Sequence, residues 1–427
     1  MLSVFKQNHP KGLYLLFCVE MWERFSFYGM RALIVLYMIE SLMYTAEKAG
    51  NIYGLYTGLV YLTPLLGGYI ADRLIGQRRC ISIGATLMIL GLFSLAFGPK
   101  SFFLLSLFLM IVANGFFKSN ISSVLGLLYG NDNEKKDSAF TIFYMGINLG
   151  AFFSPLVCGT LAAKFGYEYG FASAGVGMLL GLITYKVFEN KYLGESGLYP
   201  VSKENKEITN DSSSLKEDER RQFTSLIVLM LFTIPFWICF EQAGSSLTLF
   251  AEYDTNRNFM EQEIPTGYFQ SLNPLFIITL APLMSLLWET LRKRAKEPSS
   301  VGKFSIALFL MSISFCVLSY AGHLSINSLV SPLWLVLGYF IMTVAELCLS
   351  PIGLSLVSKL APRKFLSLTM GCWFLTSFIG NLIAGLWGGQ YEAFTPSELF
   401  GALAILSFIT LILLLLFKPF LNKTINH

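Results

Sequence analysis

Charge is scarce in this 427-residue chain: Asp, Glu, Lys and Arg together make up 14% of it, against about 25% in an ordinary soluble protein. A water-soluble domain so poor in charge lacks the polar surface that keeps it dispersed. A bilayer removes that requirement, because a lipid-facing helix can be apolar all round. Histidine is nearly missing, with only His9, His323 and His427. All three fall outside the long apolar runs, so no histidine proton relay is expected within them. Cys18, Cys80, Cys158, Cys239, Cys316, Cys348 and Cys372 lie in or beside apolar runs and never as C-x-x-C. They read as small hydrophobes, neither disulfides nor metal ligands. No H-E-x-x-H, no Ser-His pair and no phosphate loop occurs, so an enzyme is not expected and nothing calls for a cofactor or a metal. The net charge of +4 is too small to suggest a nucleic-acid partner.

Apolar residues fill this gap. A spanning helix needs about 20 mostly apolar residues, and stretches of that kind centre near residues 27, 61, 88, 115, 150, 178, 235, 277, 312, 345, 376 and 407. Backbone polar groups in hydrocarbon must be satisfied within the segment, so these twelve are expected to be helices. Lys6 and Lys11 before the first stretch give it the look of a signal peptide. It is too long for one and no small-residue cleavage site follows, so a retained first helix is expected.

Six stretches precede a polar segment from Glu189 to Gln222 and six follow it. The expected organisation is an N-terminal half (1–188), a solvated cytoplasmic linker (189–222) and a C-terminal half (223–427). A short amphipathic helix near Lys216 to Arg221 is the alternative within the linker. With the N-terminus in the cytoplasm, 24 of the 31 Lys and Arg fall on the cytoplasmic side. They include Arg73, Arg78, Arg79, Arg292 to Lys296, and Arg363 with Lys364. Lys48, Lys100, Lys164 and Arg257 would face outward. This asymmetry predicts a multi-pass inner-membrane protein with both termini inside.

Six plus six helices about a cytoplasmic linker resemble the major facilitator architecture, with two halves rocking about a central cavity. Gly68, Asp72, Arg73, Gly76, Arg78 and Arg79 resemble that superfamily's G-x-x-x-D-R-x-x-G-x-R-R signature. A plain basic cytoplasmic turn is the other reading of this loop.

An ionisable side chain at mid-membrane costs about 2.5 to 3.5 kcal/mol on insertion scales, so each one invites a functional explanation. The first helix carries Glu20, Glu23, Arg24 and Arg31. At about 100° per residue from Glu20, Arg24 falls near 40°, Arg31 near 20°, Phe27 near −20° and Glu23 near −60°. That single stripe must face a wet or paired interior. Ion pairs that merely lock helices together are the alternative. Lys118, Glu241 and Glu346 add one buried charge each to the fourth, seventh and tenth helices. Opposite charges on two moving halves suit gate pairs that bias a two-state equilibrium. Opening such a pair favours protonation of the freed carboxylate, which couples protons to motion. A sodium site would need a cluster of neutral oxygens at a broken helix, and no such cluster is evident.

Glu20-x-x-Glu23-Arg24-Phe25-Ser26, followed by Tyr28-Gly29, resembles the E-x-x-E-R motif of the proton-dependent oligopeptide transporters, the POT or PTR family. GGYIADRLIGQRR resembles that family's first signature and FTIFYMGINLGAF (140 to 152) its second. ELCLSPIGLS and MGCWFLTSFIGN in the tenth and eleventh helices also fit, so the resemblance spans nearly all of the membrane region. It implies a symporter importing di- and tripeptides with protons by alternating access. Glu20, Glu23 and Arg24 would couple protons. Arg24 and Lys118 would face the peptide carboxylate, and Glu346 its amino end. Asn148 and Asn273 would read the backbone, while Tyr28, Tyr61 and Trp373 would line tolerant pockets. Arg31 with Glu241 would form the extracellular gate pair, and Lys118 with Glu346 the cytoplasmic one. Phe27 departs from the pattern, since many members carry two consecutive tyrosines there. The polar linker also leaves no room for the two extra helices that many bacterial members insert. Relatives carrying nitrate or a drug-like metabolite, and a transport-inactive peptide sensor, remain as alternatives.

Overall fold

The computed structural model describes residues 9–130, 132–200, 217–259, 261–360 and 366–425. The chain is helical nearly throughout. Helices α1 (Lys11–Leu36), α2 (Ala46–Ile70), α3 (Gln77–Phe97), α4 (Phe103–Tyr129), α5 (Asn133–Phe165) and α6 (Tyr167–Leu193) account for the first six expected spans. The seventh is built from three pieces, α7 (Glu217–Leu231), α8 (Thr233–Phe240) and α9 (Ser246–Tyr253). Then come α10 (Leu272–Lys293), α11 (Ser300–Ser325), α12 (Leu333–Leu360), α13 (Leu366–Gly388) and α14 (Pro396–Ile425).

Among the described residues, ten helical stretches are long and apolar enough to cross a membrane. The two remaining expected spans, α1 and α2, have the length but not the composition. Glu20, Glu23 and Arg24 interrupt the apolar run of α1, while α2 opens on Glu47 and Lys48 and carries Gly, Tyr and Thr along its length. The charges of α1 lie inside the protein, with Glu20, Glu23 and Arg24 all buried, whereas Glu47 and Lys48 of α2 are exposed.

Two compact units emerge from the packing. One comprises residues 1–43, 59–203 and 265–278; the other comprises 44–58, 204–264 and 279–427. In the first unit, α1 lies against α5 and α6. A Cβ added at Gly29 would sit 2.5 Å from the Cys158 sulfur and 2.6 Å from Ser154 Oγ. The Ser26 hydroxyl donates to the Ala174 carbonyl of α6 at 2.7 Å. In the second unit, the start of α2 meets α13 backbone to backbone. A Cβ on Gly54 would lie 2.8 Å from the Gly385 Cα, and one on Gly385 would collide with the Gly50 carbonyl.

The loop between α2 and α3 turns at Gly76, whose φ of +82° is a conformation that favours glycine. A Cβ there would also lie 2.6 Å from the Leu198 carbonyl. Beside it the Arg78 N–H donates to the Gly197 carbonyl at 2.9 Å. The buried Arg78 guanidinium reaches Asn190 Oδ1 at 2.5 Å, the Gly194 carbonyl at 2.8 Å and Glu189 Oε2 at 3.4 Å. Helix α6 thus runs on through Glu189 to Leu193, and the chain after it folds back onto α3. Residues 201–216, nearly half of the expected linker, lie outside the described residues, as do Arg363, Lys364 and His427.

Between α9 and α10 a hairpin pairs β1 (Asn258–Phe259) with β2 (Gln262–Glu263). Arg257 holds its base, with Nη2 2.5 Å from Glu252 Oε1 and 2.8 Å from Glu263 Oε1.

Candidate functional site

The charged stripe expected on α1 exists. Glu20, Glu23 and Arg24 are 3%, 0% and 4% exposed, as buried as core leucines. Arg24 Nε lies 2.9 Å from Glu20 Oε1 and 2.5 Å from Glu23 Oε2. One turn of helix brings Glu20 and Arg24 together, as expected of an i, i+4 pair. The backbone of α5 closes over them: a Cβ on Gly150 would collide with the Met21 carbonyl and lie 3.0 Å from Arg24 Cβ. Only a glycine at 150 leaves space for the triad, and this residue belongs to the 140–152 motif.

The ion contacts are crowded rather than well aligned. Glu20 Oε2, both Glu23 oxygens, and Nε and Nη2 of Arg24 are buried without a hydrogen-bond partner of good geometry. Two acids and one base in a dry pocket would be a costly way to hold a helix. Lys118 supplies the second positive charge, since it acts electrostatically on both carboxylates from α4. Its ammonium stands 4.4 Å from the Tyr61 ring centroid, close enough for a cation–π contact. Arg24 lies 5.5 Å from the Phe27 ring, and Arg31 lies 5.9 Å from that of Tyr28. Phe27 is buried, whereas Tyr28, Arg31, Tyr61 and Lys118 are partly accessible.

Asn148 is buried on α5 and donates to the Tyr144 carbonyl at 2.9 Å, a bond local to its own helix. Asn273 stands in the first turn of α10, within the same unit. The first unit therefore contains Glu20, Glu23, Arg24, Tyr28, Arg31, Tyr61, Lys118, Asn148 and Asn273.

The second unit holds the other three expected residues. Glu241 is 2% exposed and sits in the tight 3-10 turn, Glu241–Gly244, that separates α8 from α9. Glu346 is partly accessible on α12. Trp373 of α13 is buried with its ring against Gly353 of α12, where any Cβ would overlap it. That contact is packing, and a tolerant pocket is only one use of such a ring.

Sequence reasoning missed three features. Glu189, read as the first linker residue, partners Arg78. Asn114 is fully buried one turn before Lys118, with neither amide atom hydrogen-bonded. Lys303 is nearly buried at the start of α11, with Nζ 2.6 Å from Glu297 Oε1 and 4.6 Å from the Trp288 ring. Lys303 and Asn114 were detectable as polar residues in otherwise apolar stretches.

The family model described as the POT family matches residues 78–196 and 197–406, more than half of the chain. The Peptide transporter YePEPT of Yersinia enterocolitica is 35% identical over 456 residues, covering 90% of this chain and 89% of that protein. The Di-/tripeptide transporter of Lactococcus lactis subsp. lactis is 34% identical, with 97% and 96% covered. The crystal structure of peptide transporter POT in complex with sulfate superimposes with a TM-score of 0.90 at 34% identity, covering 97% of this chain and 96% of that one. The fold is accordingly that of a polytopic membrane transporter with two six-helix halves by sequence, and the chain belongs to the POT family.

Proposed function

We propose that the protein is a proton-coupled symporter that imports di- and tripeptides by alternating access across the cell inner membrane, and that it performs no enzymatic reaction. The observation that carries this reading is the buried Glu20–Glu23–Arg24 triad with Lys118 within electrostatic reach. A carrier driven by protons needs a site that titrates and that also feels the substrate's charge. In this triad a change of protonation on either acid alters the field at Arg24 directly.

The peptide's carboxylate is assigned to Arg24 and Lys118. Nη2 of Arg24 is a buried donor without a hydrogen-bond partner, which suits an anionic group. The peptide's amino end is assigned to Glu346, its backbone to Asn148 and Asn273, and its side chains to Tyr28, Tyr61 and Trp373. Arg31 with Glu241, and Lys118 with Glu346, serve as the gate pairs. Sharing Lys118 and Glu346 between gate and substrate would let a peptide compete for the gate charges. Each proton entering down an inward-negative potential supplies about 2.3 kcal/mol per 100 mV, enough for a several tens-fold accumulation of substrate.

A second reading keeps the site and changes the cargo. A POT family transporter crystallised with 5-aminolevulinic acid, 30% identical to this chain with a TM-score of 0.89, favours a small zwitterion that is not a peptide. One experiment decides. Uptake of a labelled dipeptide into proteoliposomes under an imposed proton gradient should be competed by di- and tripeptides, and not by free amino acids, longer peptides or nitrate. No uptake of dipeptide, with uptake of 5-aminolevulinic acid, would transfer the assignment to the second reading. Dipeptide binding without any uptake would make the protein a sensor.

A further inference from the structure

The break in the seventh span has its own supports. Between α8 and α9 the chain makes the 3-10 turn Glu241–Gly244 and then leaves the helical region at Ser245, with φ −127° and ψ −97°. A break inside an apolar span frees backbone carbonyls that must find donors. Ala243's carbonyl finds two, accepting from the Thr248 hydroxyl at 3.0 Å and from the Tyr339 hydroxyl of α12 at 3.3 Å. The carbonyl of Ile238 is met by a side chain.

That side chain is Gln242, which is fully buried. Its Nε2 donates to the Ile238 carbonyl at 3.0 Å and to the Ala384 carbonyl of α13 at 3.2 Å. Its Oε1 accepts from the Ser246 hydroxyl at 2.6 Å and from that of Ser245 at 3.3 Å. Both carbonyl partners can only accept, which fixes the orientation of the amide. All four bonding positions of the group are used. One residue therefore ties the end of α8, the start of α9 and the neighbouring α13 together. It stands next to Glu241, the carboxylate assigned above to a gate pair.

We propose that Gln242 is a positioning residue for transport: it selects the broken form of the seventh span and thereby sets the direction of the Glu241 carboxylate. Without its amide, the cheapest repair for the Ile238 carbonyl is the backbone N–H four residues on, which makes the helix continuous. A 3-10 turn advances about 120° per residue and an α-helix about 100°, so the repair rotates Glu241 relative to α9. The proposal rests on the reading of Glu241 as a gate carboxylate.

The test compares Gln242→Met, which keeps volume and removes the hydrogen bonds, with Gln242→Glu, which keeps the acceptor, and with Ser246→Ala, which removes one hydroxyl. Each is measured in proteoliposomes for proton-driven dipeptide accumulation and for counterflow, alone and combined with Glu241→Gln. Gln242→Met should lose proton-driven accumulation by about tenfold or more while the counterflow KM stays within about threefold. Gln242→Glu should recover part of the loss, and Ser246→Ala should fall between; these two decide if Gln242→Met does not fold. In the Glu241→Gln background, Gln242→Met should add nothing. Normal accumulation in Gln242→Met, equal losses in both assays, or losses that multiply in the double variant overturn the proposal and leave Glu241 standing. Normal accumulation in Glu241→Gln alone removes the reading of Glu241, and the proposal with it.

Discussion

The carboxylate of Glu23 touches the guanidinium of Arg24, its neighbour in sequence, at 2.5 Å. Successive residues of a helix point about 100° apart and do not ordinarily face each other. Both side chains bend toward one another where α5 packs closely over Arg24 at Gly150. Arg24 is consequently shared between an i−1 and an i−4 carboxylate.

That shared arginine predicts the phenotype of Glu23→Gln. Glutamine keeps the shape and much of the hydrogen bonding of a protonated glutamate but cannot release a proton. In liposomes the variant should lose proton-driven concentrative uptake and keep measurable counterflow of labelled against unlabelled peptide. Retained accumulation in Glu23→Gln, Glu20→Gln and the double variant would move the coupling site elsewhere, with Glu241 the next candidate. Loss of both activities in a folded protein would make the acids supports for Arg24.

Lys118→Ala should abolish dipeptide uptake while leaving expression intact, since it removes the charge assigned to the peptide carboxylate and to a gate. Glu346→Ala should be equally damaging in the same assay. Transport at the normal rate by the Lys118 variant would exclude both of its roles.

Helix packing makes a prediction independent of function. Gly385→Ala places a Cβ against the Gly50 carbonyl and the Gly54 Cα. These are backbone atoms that cannot swing aside, so a destabilisation of about 1–3 kcal/mol is expected. Gly126→Ala meets only the flexible end of Lys136 at 3.6 Å and gains helix propensity, for a stabilisation of up to about 1 kcal/mol. Thermal unfolding of the detergent-solubilised protein should lower the midpoint for the first and hold or raise it for the second.

Topology can be read by impermeant thiol labelling of single cysteines in a cysteine-free background. A cysteine at Arg257 should label from outside intact cells, and one at Asn210 only after permeabilisation. Outside labelling at 210 would contradict the twelve-helix arrangement.

The charged stripe of α1 was legible in the sequence because helical periodicity fixes azimuth: Glu20, Glu23 and Arg24 had to share a face, and hydrocarbon could not accept them there. The same reasoning located Lys118, Glu241 and Glu346, each a lone charge in an apolar run. It did not reveal the discontinuity beside Glu241, because hydropathy averages over a window longer than a four-residue turn. Nor did it give Arg78 its partners, since a buried arginine finds carbonyls and carboxylates by tertiary approach, and Glu189 lies more than a hundred positions away in sequence. Gln242 looked unremarkable for a related reason: an amide is neutral, so it raises no alarm on a charge count, although its burial demands as many partners as a charged group's.

Arg78 has a consequence in polymer terms. By gripping Asn190 and Gly194 while its N–H holds Gly197, it fixes the point at which the chain departs from α6. The tether to α7 then starts near Pro200 and ends at Glu217, with a fully extended reach of at most about 60 Å. Counted from Glu189, where the polar segment begins, the same tether would have seemed half as long again or more. Deleting residues between 201 and 216 shortens this reach directly. Loss of the Arg78 side chain removes the grip on Asn190 and Gly194 and leaves the backbone bond to Gly197 to anchor the turn alone.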